Sequence, residues 1–247
     1  MHLEEFSEGN SFLHKADPRV KILVFALFSI LCAVSSGIKT PMLYLFYSLT
    51  LLLITRIKAK PLISRLLAAN FFIAFIWLFI PLSYPGNPYI TLGFIKISHE
   101  GINYALSITI KCNAIIIATI TLLSTSSVFS LAHAMLHLKM PKKLVTVFFL
   151  FYRYITVIHE EYLKIKRAVA LRGFIPKTNL HAYKTYAYIV GGMLIKSYER
   201  AEEIYRAMLC RGFQGFFPLF EHFQIRKSDI IFGVISTAIF ILFWVKS

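Results

Sequence analysis

The sequence predicts an all-α, polytopic membrane protein, with about five transmembrane helices and a long basic helical region on the cytoplasmic side. Three observations predict it. The 247-residue chain is 57% hydrophobic and only 16% charged, against about 25% charged in a soluble domain. Five apolar runs approach or reach the ~17 to 25 residues that cross a hydrocarbon core as helix. The 27 Lys and Arg outnumber the 12 Asp and Glu and give a net charge of +15; they gather in a few segments beside the runs, as in membrane proteins with basic cytoplasmic loops. Charge in that setting points to an anionic membrane surface or an acidic protein partner and away from nucleic acid. No low-complexity tract suggests disorder. Cys32, Cys112 and Cys210 stand far apart with no CxxC pair, which indicates neither a disulfide framework nor a structural zinc site.

The runs are taken in order. Val20 to Ile38 is the first. Ala33-Val34-Ser35 has the small residues of a cleavage site, but the acidic Glu4, Glu5, Glu8 and Asp17 precede the run and another apolar run follows at once, so a retained span is expected. Pro41 to Ile57 is the second, Leu66 to Leu82 the third, stopped by Pro85 and Pro88. Asn103 to Leu123 is the fourth and holds Lys111; Ile230 to Val245 is the last. Leu144 to Ile158, with Arg153, and Tyr186 to Ile195, with Gly191-Gly192, are shorter. If both crossed, Lys164, Lys166, Arg167, Arg172, Lys177 and Lys184 would be exported, against the positive-inside tendency. If neither crosses and the N-terminus is inside, the cytoplasmic side takes all Lys and Arg except Lys39, Lys96 and Lys246 outside and Lys111 within a span. The expected organisation is a membrane part over 1–123 (spans 20–38, 41–57, 66–82 and 103–123), a cytoplasmic region over 124–228, and a last transmembrane helix within 229–247.

The cytoplasmic region reads as helical. Pro141 suits a helix start, Leu144 to Ala170 contains no Gly or Pro, and a second helix is expected over Ala182 to Cys210. Glu160 with Lys164 and Glu202 with Arg206 have the four-residue spacing that supports exposed helix faces. The region also repeats itself: Arg167-Ala168-Val169-Ala170-Leu171-Arg172-Gly173-Phe174 returns 39 residues later as Arg206-Ala207-Met208-Leu209-Cys210-Arg211-Gly212-Phe213. Gly after the last helical residue adopts the left-handed conformation and stops the helix. Arg172 and Arg211 then sit at the negative end of a helix dipole, where a planar five-donor fork is able to grip a carboxylate bidentately. Phe174 and Phe213 are placed to fold back onto the helix or to anchor in a partner. A single Arg-Gly is most simply a helix cap; two copies sharing five of eight residues in a basic region point to two equivalent plugs.

These paired tips resemble the signature of the T component, the transmembrane coupling subunit, of energy-coupling factor (ECF) transporters, and most of all the CbiQ-type subunit of cobalt importers. Asp17-Pro18-Arg19-Val20-Lys21 resembles the family's N-terminal D-P-R-x-K. Met140-Pro141-Lys142-Lys143-Leu144 resembles its turn into the coupling helices, and Tyr152-Arg153-Tyr154 with Glu160-Glu161 its R-Y and acidic stretch. The resemblance covers nearly the whole chain. It implies two long cytoplasmic coupling helices whose Ala-Arg-Gly ends dock into two ATP-binding-cassette (ABC) ATPases, with Arg172, Gly173, Arg211 and Gly212 as docking residues. Arg167, Ala168, Phe174, Arg206, Ala207 and Phe213 would support them. Leu171 and Cys210 stand where the family has alanine, a bulkier choice that alters the fit to a groove and leaves the charge unchanged. The resemblance further implies a non-catalytic subunit of a bacterial or archaeal cell (inner) membrane, N-terminus cytoplasmic. It would pass ATPase motion to a separate substrate-binding membrane subunit, for cobalt uptake and so for cobalamin biosynthesis, with nickel or a vitamin as alternative cargo.

Other chemistry finds less support. GxxxxGK[ST] is absent, so ATP and Mg would be held by a partner and no cofactor by this chain. His159-Glu160-Glu161-Tyr162-Leu163 begins like HExxH and lacks the second His. His133 and His137 have metal-ligand spacing, but no Cys, Asp or Glu lies near them in sequence, and they read as surface histidines; no metal site is expected. Met1-His2 lies on the wrong side to capture an imported ion. Lys111, an intramembrane charge and so a functional candidate by default, is expected to find Asn113, a backbone carbonyl or a neighbouring subunit. The spans contain no carboxylate of the kind a stand-alone proton-coupled transporter needs; a stand-alone ion transporter and a membrane enzyme are the competing readings.

Overall fold

In a computed structural model the described residues are 9, 11–55, 57, 59–85, 88–92, 95–215 and 226–245. Met1, His2, Lys246 and the 216–225 part of the expected cytoplasmic region lie outside them. The chain divides into two compact units, Met135–Glu221 on the one hand and His2–Ala134 with His222–Ser247 on the other.

The larger unit is a helical bundle. A single turn, α1 (Phe12–Lys15), precedes α2 (Pro18–Val34), α3 (Lys39–Thr55), α4 (Ala59–Ser83), α5 (His99–Ala118), the start of α6 (Val128–His137) and, much later in sequence, α9 (Lys227–Val245). Three stretches, Leu62–Ser83, His99–Leu123 and Lys227–Val245, are long and apolar enough to cross a membrane. α2 and α3 have 17 residues each, which is about 26 Å of helix and the lower limit for a crossing. This is a polytopic all-α membrane protein. One feature departs from pure helix: β1 (Pro88–Leu92) and β2 (Ile95–Ser98) pair antiparallel, with Leu92 opposite Ile95, and join α4 to α5.

Local chemistry fixes the helix ends. Asp17 caps α2 by accepting the Arg19 N–H at 2.9 Å, and Pro18 takes the first turn, where its missing N–H costs nothing. Gly37, at φ +71°, turns the chain into α3. Ser98 caps α5 through the Gly101 N–H at 3.1 Å. α5 does not end at Ala118 but loosens into one π-helical turn, Thr119–Leu123.

The core is aromatic. Phe28, Tyr44, Tyr47 and Phe240 from α2, α3 and α9 interlock with ring centroids 5.0–6.1 Å apart, the offset and edge-to-face range that adds to simple burial. Their hydroxyls are satisfied: Tyr47 Oη donates to Ser236 Oγ at 2.8 Å and Tyr44 Oη to the Phe240 carbonyl at 3.4 Å. α4 and α5 form a hairpin held at three levels. Asn70 and Asn113 exchange two amide hydrogen bonds of 3.0 Å, Trp77 Nε1 donates to Thr109 Oγ1 at 2.9 Å, and Gly101 lies so close to α4 that an added Cβ would sit 2.9 Å from Pro81 Cα.

Lys111 finds backbone carbonyls, one of the three partners expected for it. Its Nζ donates to Ala33 O at 3.0 Å and to Ser35 O, so it closes the carbonyl end of α2, where the last carbonyls lack helical donors. Asn113 is engaged by Asn70 instead. The surface reading of the two histidines holds for His137, which is exposed, and fails for His133, which is buried on α6 together with its neighbours Ala132 and Ala134. Among the described residues no group of three His, Cys, Asp or Glu is gathered in one place.

Candidate docking site at the arm tips

The second unit is built from two long helices, α7 (Lys142–Leu171, 30 residues) and α8 (Leu180–Cys210, 31 residues). Each is about 45 Å long. Pro141 precedes α7, and Asn179 caps α8 by accepting the Ala182 N–H at 2.8 Å. The helices run antiparallel and meet near their middles, where Val157, Ile158 and Glu161 face Met193, Lys196, Ser197 and Arg200 with almost no space between them. Lys196 Nζ donates to Glu161 Oε1 at 2.8 Å, and Lys164 stands 4.0 Å from the other carboxylate oxygen. The expected Glu160–Lys164 pair is therefore replaced by Glu161–Lys164, because Glu161 is the acid on the side where Lys196 also arrives. The Lys196 hydrogen bond and charge hold the Glu161 carboxyl below its ordinary value. The expected Glu202–Arg206 pair is present at 3.3 Å.

Away from the meeting point the helices diverge and leave a cleft on either side. One, of about 450 Å³, lies between Leu150, Arg153 and Tyr154 of α7 and Ile204, Ala207 and Met208 at the end of α8, and is closed by Arg211, Gly212 and Phe213. The other, of about 490 Å³, lies between the end of α7 and His181, Thr185, Tyr188 and Ile189 of α8, and is closed by Arg172, Gly173 and Phe174. Among the described residues no carboxylate lines either cleft, whereas each is lined by cationic side chains: Arg153 with Arg211, and Arg172 with Lys196.

The two tips end in the same way. At the first, Gly173 has φ +81°, its N–H donates to Ala170 O at 3.0 Å, and the Phe174 N–H reaches back to Val169 O at 3.3 Å. At the second, Gly212 has φ +75°, with the corresponding bonds to Leu209 O at 2.9 Å and Met208 O at 3.0 Å. This pair of bonds is the Schellman stop, which satisfies the last carbonyls of the helix. Arg172 and Arg211 are the final caps, and both are exposed. Phe174 folds back edge-on against Tyr186 at 5.6 Å, while Leu171 beside Arg172 is 90% exposed. Arg167 bonds its own helix at Leu163 O, Arg206 is taken by Glu202, and Ala168 and Ala207 are exposed.

The tips thus gather Arg172, Gly173, Phe174 and Arg211, Gly212, Phe213 into two like assemblies, and leave Lys111 in the other unit. Sequence reasoning did not assign Arg153 or His181 to the clefts. The signal for Arg153 is its position on the face of α7 that an antiparallel α8 would cover, which only the pairing of the helices reveals.

The family described as "CbiQ: Cobalt transport protein" matches residues 9–221, which takes in both arms and both tips. The chain belongs to the CbiQ family. CbiQ-type proteins are T components of ECF transporters, and similar proteins bear such names. The "Energy-coupling factor transporter transmembrane protein EcfT" of Ruminiclostridium cellulolyticum is 28% identical, with 98% of this chain and 94% of that one covered. The protein of the same name from Brevibacillus brevis is 26% identical over 85% and 84%. That of Bacillus subtilis is 24% identical over 87% and 85%.

Proposed function

We propose that this chain is the coupling subunit of an ECF-type importer and that its two arm tips dock two ABC-type ATPase subunits at the cytoplasmic face. The observation that carries the reading is the pair of exposed arginines on matching left-handed glycine stops, each beside a cleft that no carboxylate lines among the described residues. An Arg held by a Schellman stop projects from the helix end with its backbone already ordered, so little entropy remains to be lost when a partner carboxylate takes its fork. Closure of the ATPases around their own ATP and Mg would displace the tips, and α7 and α8 would carry that displacement toward the spans and a substrate-binding membrane subunit. The N-terminus is then cytoplasmic, in the cell membrane of a bacterium or archaeon, since the basic arms must face the nucleotide.

Cobalt as cargo rests on the family description; the names of the relatives specify coupling and not a cargo. Cells lacking the native system and expressing the complex should therefore be assayed for cobalt(II), nickel(II) and vitamin uptake side by side. For docking, Arg172→Glu combined with Arg211→Glu should abolish co-purification of the ATPases while the chain still inserts. Losing two charge-assisted contacts is worth about 3 kcal/mol or more, at least a hundredfold in affinity. Undiminished co-purification and uptake would overturn the reading.

A further inference from the structure

Lys21 is the one fully buried lysine among the described residues, with 0% exposure. It sits in the first turn of α2, where a flanking lysine would ordinarily reach out to the interface. Instead its Nζ donates to Ser126 Oγ at 2.7 Å and to Thr125 Oγ1 at 3.4 Å. The Thr125 hydroxyl in turn donates to the Thr121 carbonyl at 2.9 Å, and the Thr121 hydroxyl to the Ile117 carbonyl at 2.9 Å, so both hydroxyls are bonded back onto the backbone at the end of α5 and its π turn. Asp229 and Asp17, both nearly fully buried, are the carboxylates whose charge acts on Lys21 across space; neither forms a salt bridge with it among the described residues. Asp229 caps α9 by accepting the Arg226 N–H at 3.1 Å, and α9 packs on α2 where Gly233 faces Val20.

The covalent path gives this cluster its meaning. The chain leaves the spanning unit for the arms just after Thr125 and Ser126, through α6, and comes back just before Asp229. Lys21 bonds the outgoing segment and so ties it to α2, while the returning segment meets α2 through α9, where Gly233 faces Val20. Any force that the arms transmit along the backbone must enter the spans through these two segments. The π turn beside the outgoing segment is a geometry that often marks functional sites in helices. The outgoing segment is held by two hydrogen bonds from one buried cation, and Asp229 of the returning segment is a nearby buried carboxylate.

We infer that Lys21 is a positioning residue of power transmission: a buried clasp that ties the outgoing chain crossing to α2, so that arm motion moves the spans. The inference rests on the coupling function proposed above. Its test is hydrogen–deuterium exchange on the intact complex with its ATPases in nanodiscs, with and without ATP plus vanadate. In the native complex ATP should alter exchange both in the arms (142–210) and in residues 119–127 and 227–233. Ser126→Ala, which removes only the closer hydroxyl, and Lys21→Met with Asp229→Asn, which removes opposite charges together, should keep the arm response and reduce the span response about fivefold or more. Ser126→Thr should restore it. If the charge variant does not insert, the hydroxyl pair decides. A span response of native size in Ser126→Ala overturns the inference. Native arms that ignore ATP while the ATPases hydrolyse it would instead overturn the docking reading, and this inference with it.

Discussion

Gly173 and Gly212 meet nothing within 4 Å of where a Cβ would stand, so their need for glycine is conformational and not spatial. A left-handed residue with a side chain costs about 1–2 kcal/mol; Gly173→Ala or Gly212→Ala should therefore weaken ATPase binding roughly tenfold without unfolding the chain. Asn at either position should cost less, because it tolerates that region. Titration of the purified tips' partners against each variant checks both. Glu161 supplies a pH prediction. Its folded value lies below its ordinary 4.5, so its bridge to Lys196 contributes above the unfolded value and is lost as pH falls through the lower, folded one. Limited proteolysis of the arms should stay flat through pH 5 and rise only in stronger acid, and Glu161→Gln should remove that dependence. The Arg-Gly-Phe repeat was legible at this scale because a Schellman stop is written in adjacent residues. The burial of Lys21 was not: it depends on Thr125 and Ser126, more than a hundred positions away, and the sequence marks Lys21 only as the last residue of the Asp17–Lys21 motif. His133 was misjudged for the same reason, since its surroundings come from elsewhere in the chain.

At the scale of elements, length and apolarity carried most of the information. The two arms begin and end within two residues of their expected limits, Lys142–Leu171 and Leu180–Cys210, because Pro141, Asn179 and the two glycines punctuate them. The first span was drawn too long at its far end, where Ser35 to Ile38 looks apolar enough to continue but Gly37 at φ +71° turns the chain. The β hairpin between α4 and α5 lies where Pro85 and Pro88 had signalled only a helix stop. The Asn70–Asn113 exchange was invisible, since two amides one helix apart carry no shared periodicity. It yields a prediction: Asn70→Ala or Asn113→Ala strands the partner amide and should cost about 1–3 kcal/mol. The double variant should cost less than the sum, as neither amide is then orphaned. Thermal unfolding in detergent reads both.

For the whole molecule, the proposed orientation rests on the charge distribution. Cys210 is exposed at an arm tip, Cys32 is buried and Cys112 half-buried on the spans. A membrane-impermeant maleimide should consequently label inside-out vesicles at Cys210 and leave sealed right-side-out vesicles unmarked; bound ATPases should shield the thiol. Labelling from the outer face would contradict the proposed orientation. The meeting of α7 and α8 at Glu161 and Lys196 has one more consequence. Two rods pivoting rigidly at one point would enclose equal opposite angles, so the two clefts would widen or narrow in concert. From that fulcrum Arg172 stands about 16 Å along its rod and Arg211 about 22 Å along the other. One rotation therefore carries the second arginine through the longer arc, and the pair of ATPases would feel unequal strokes from a single swing.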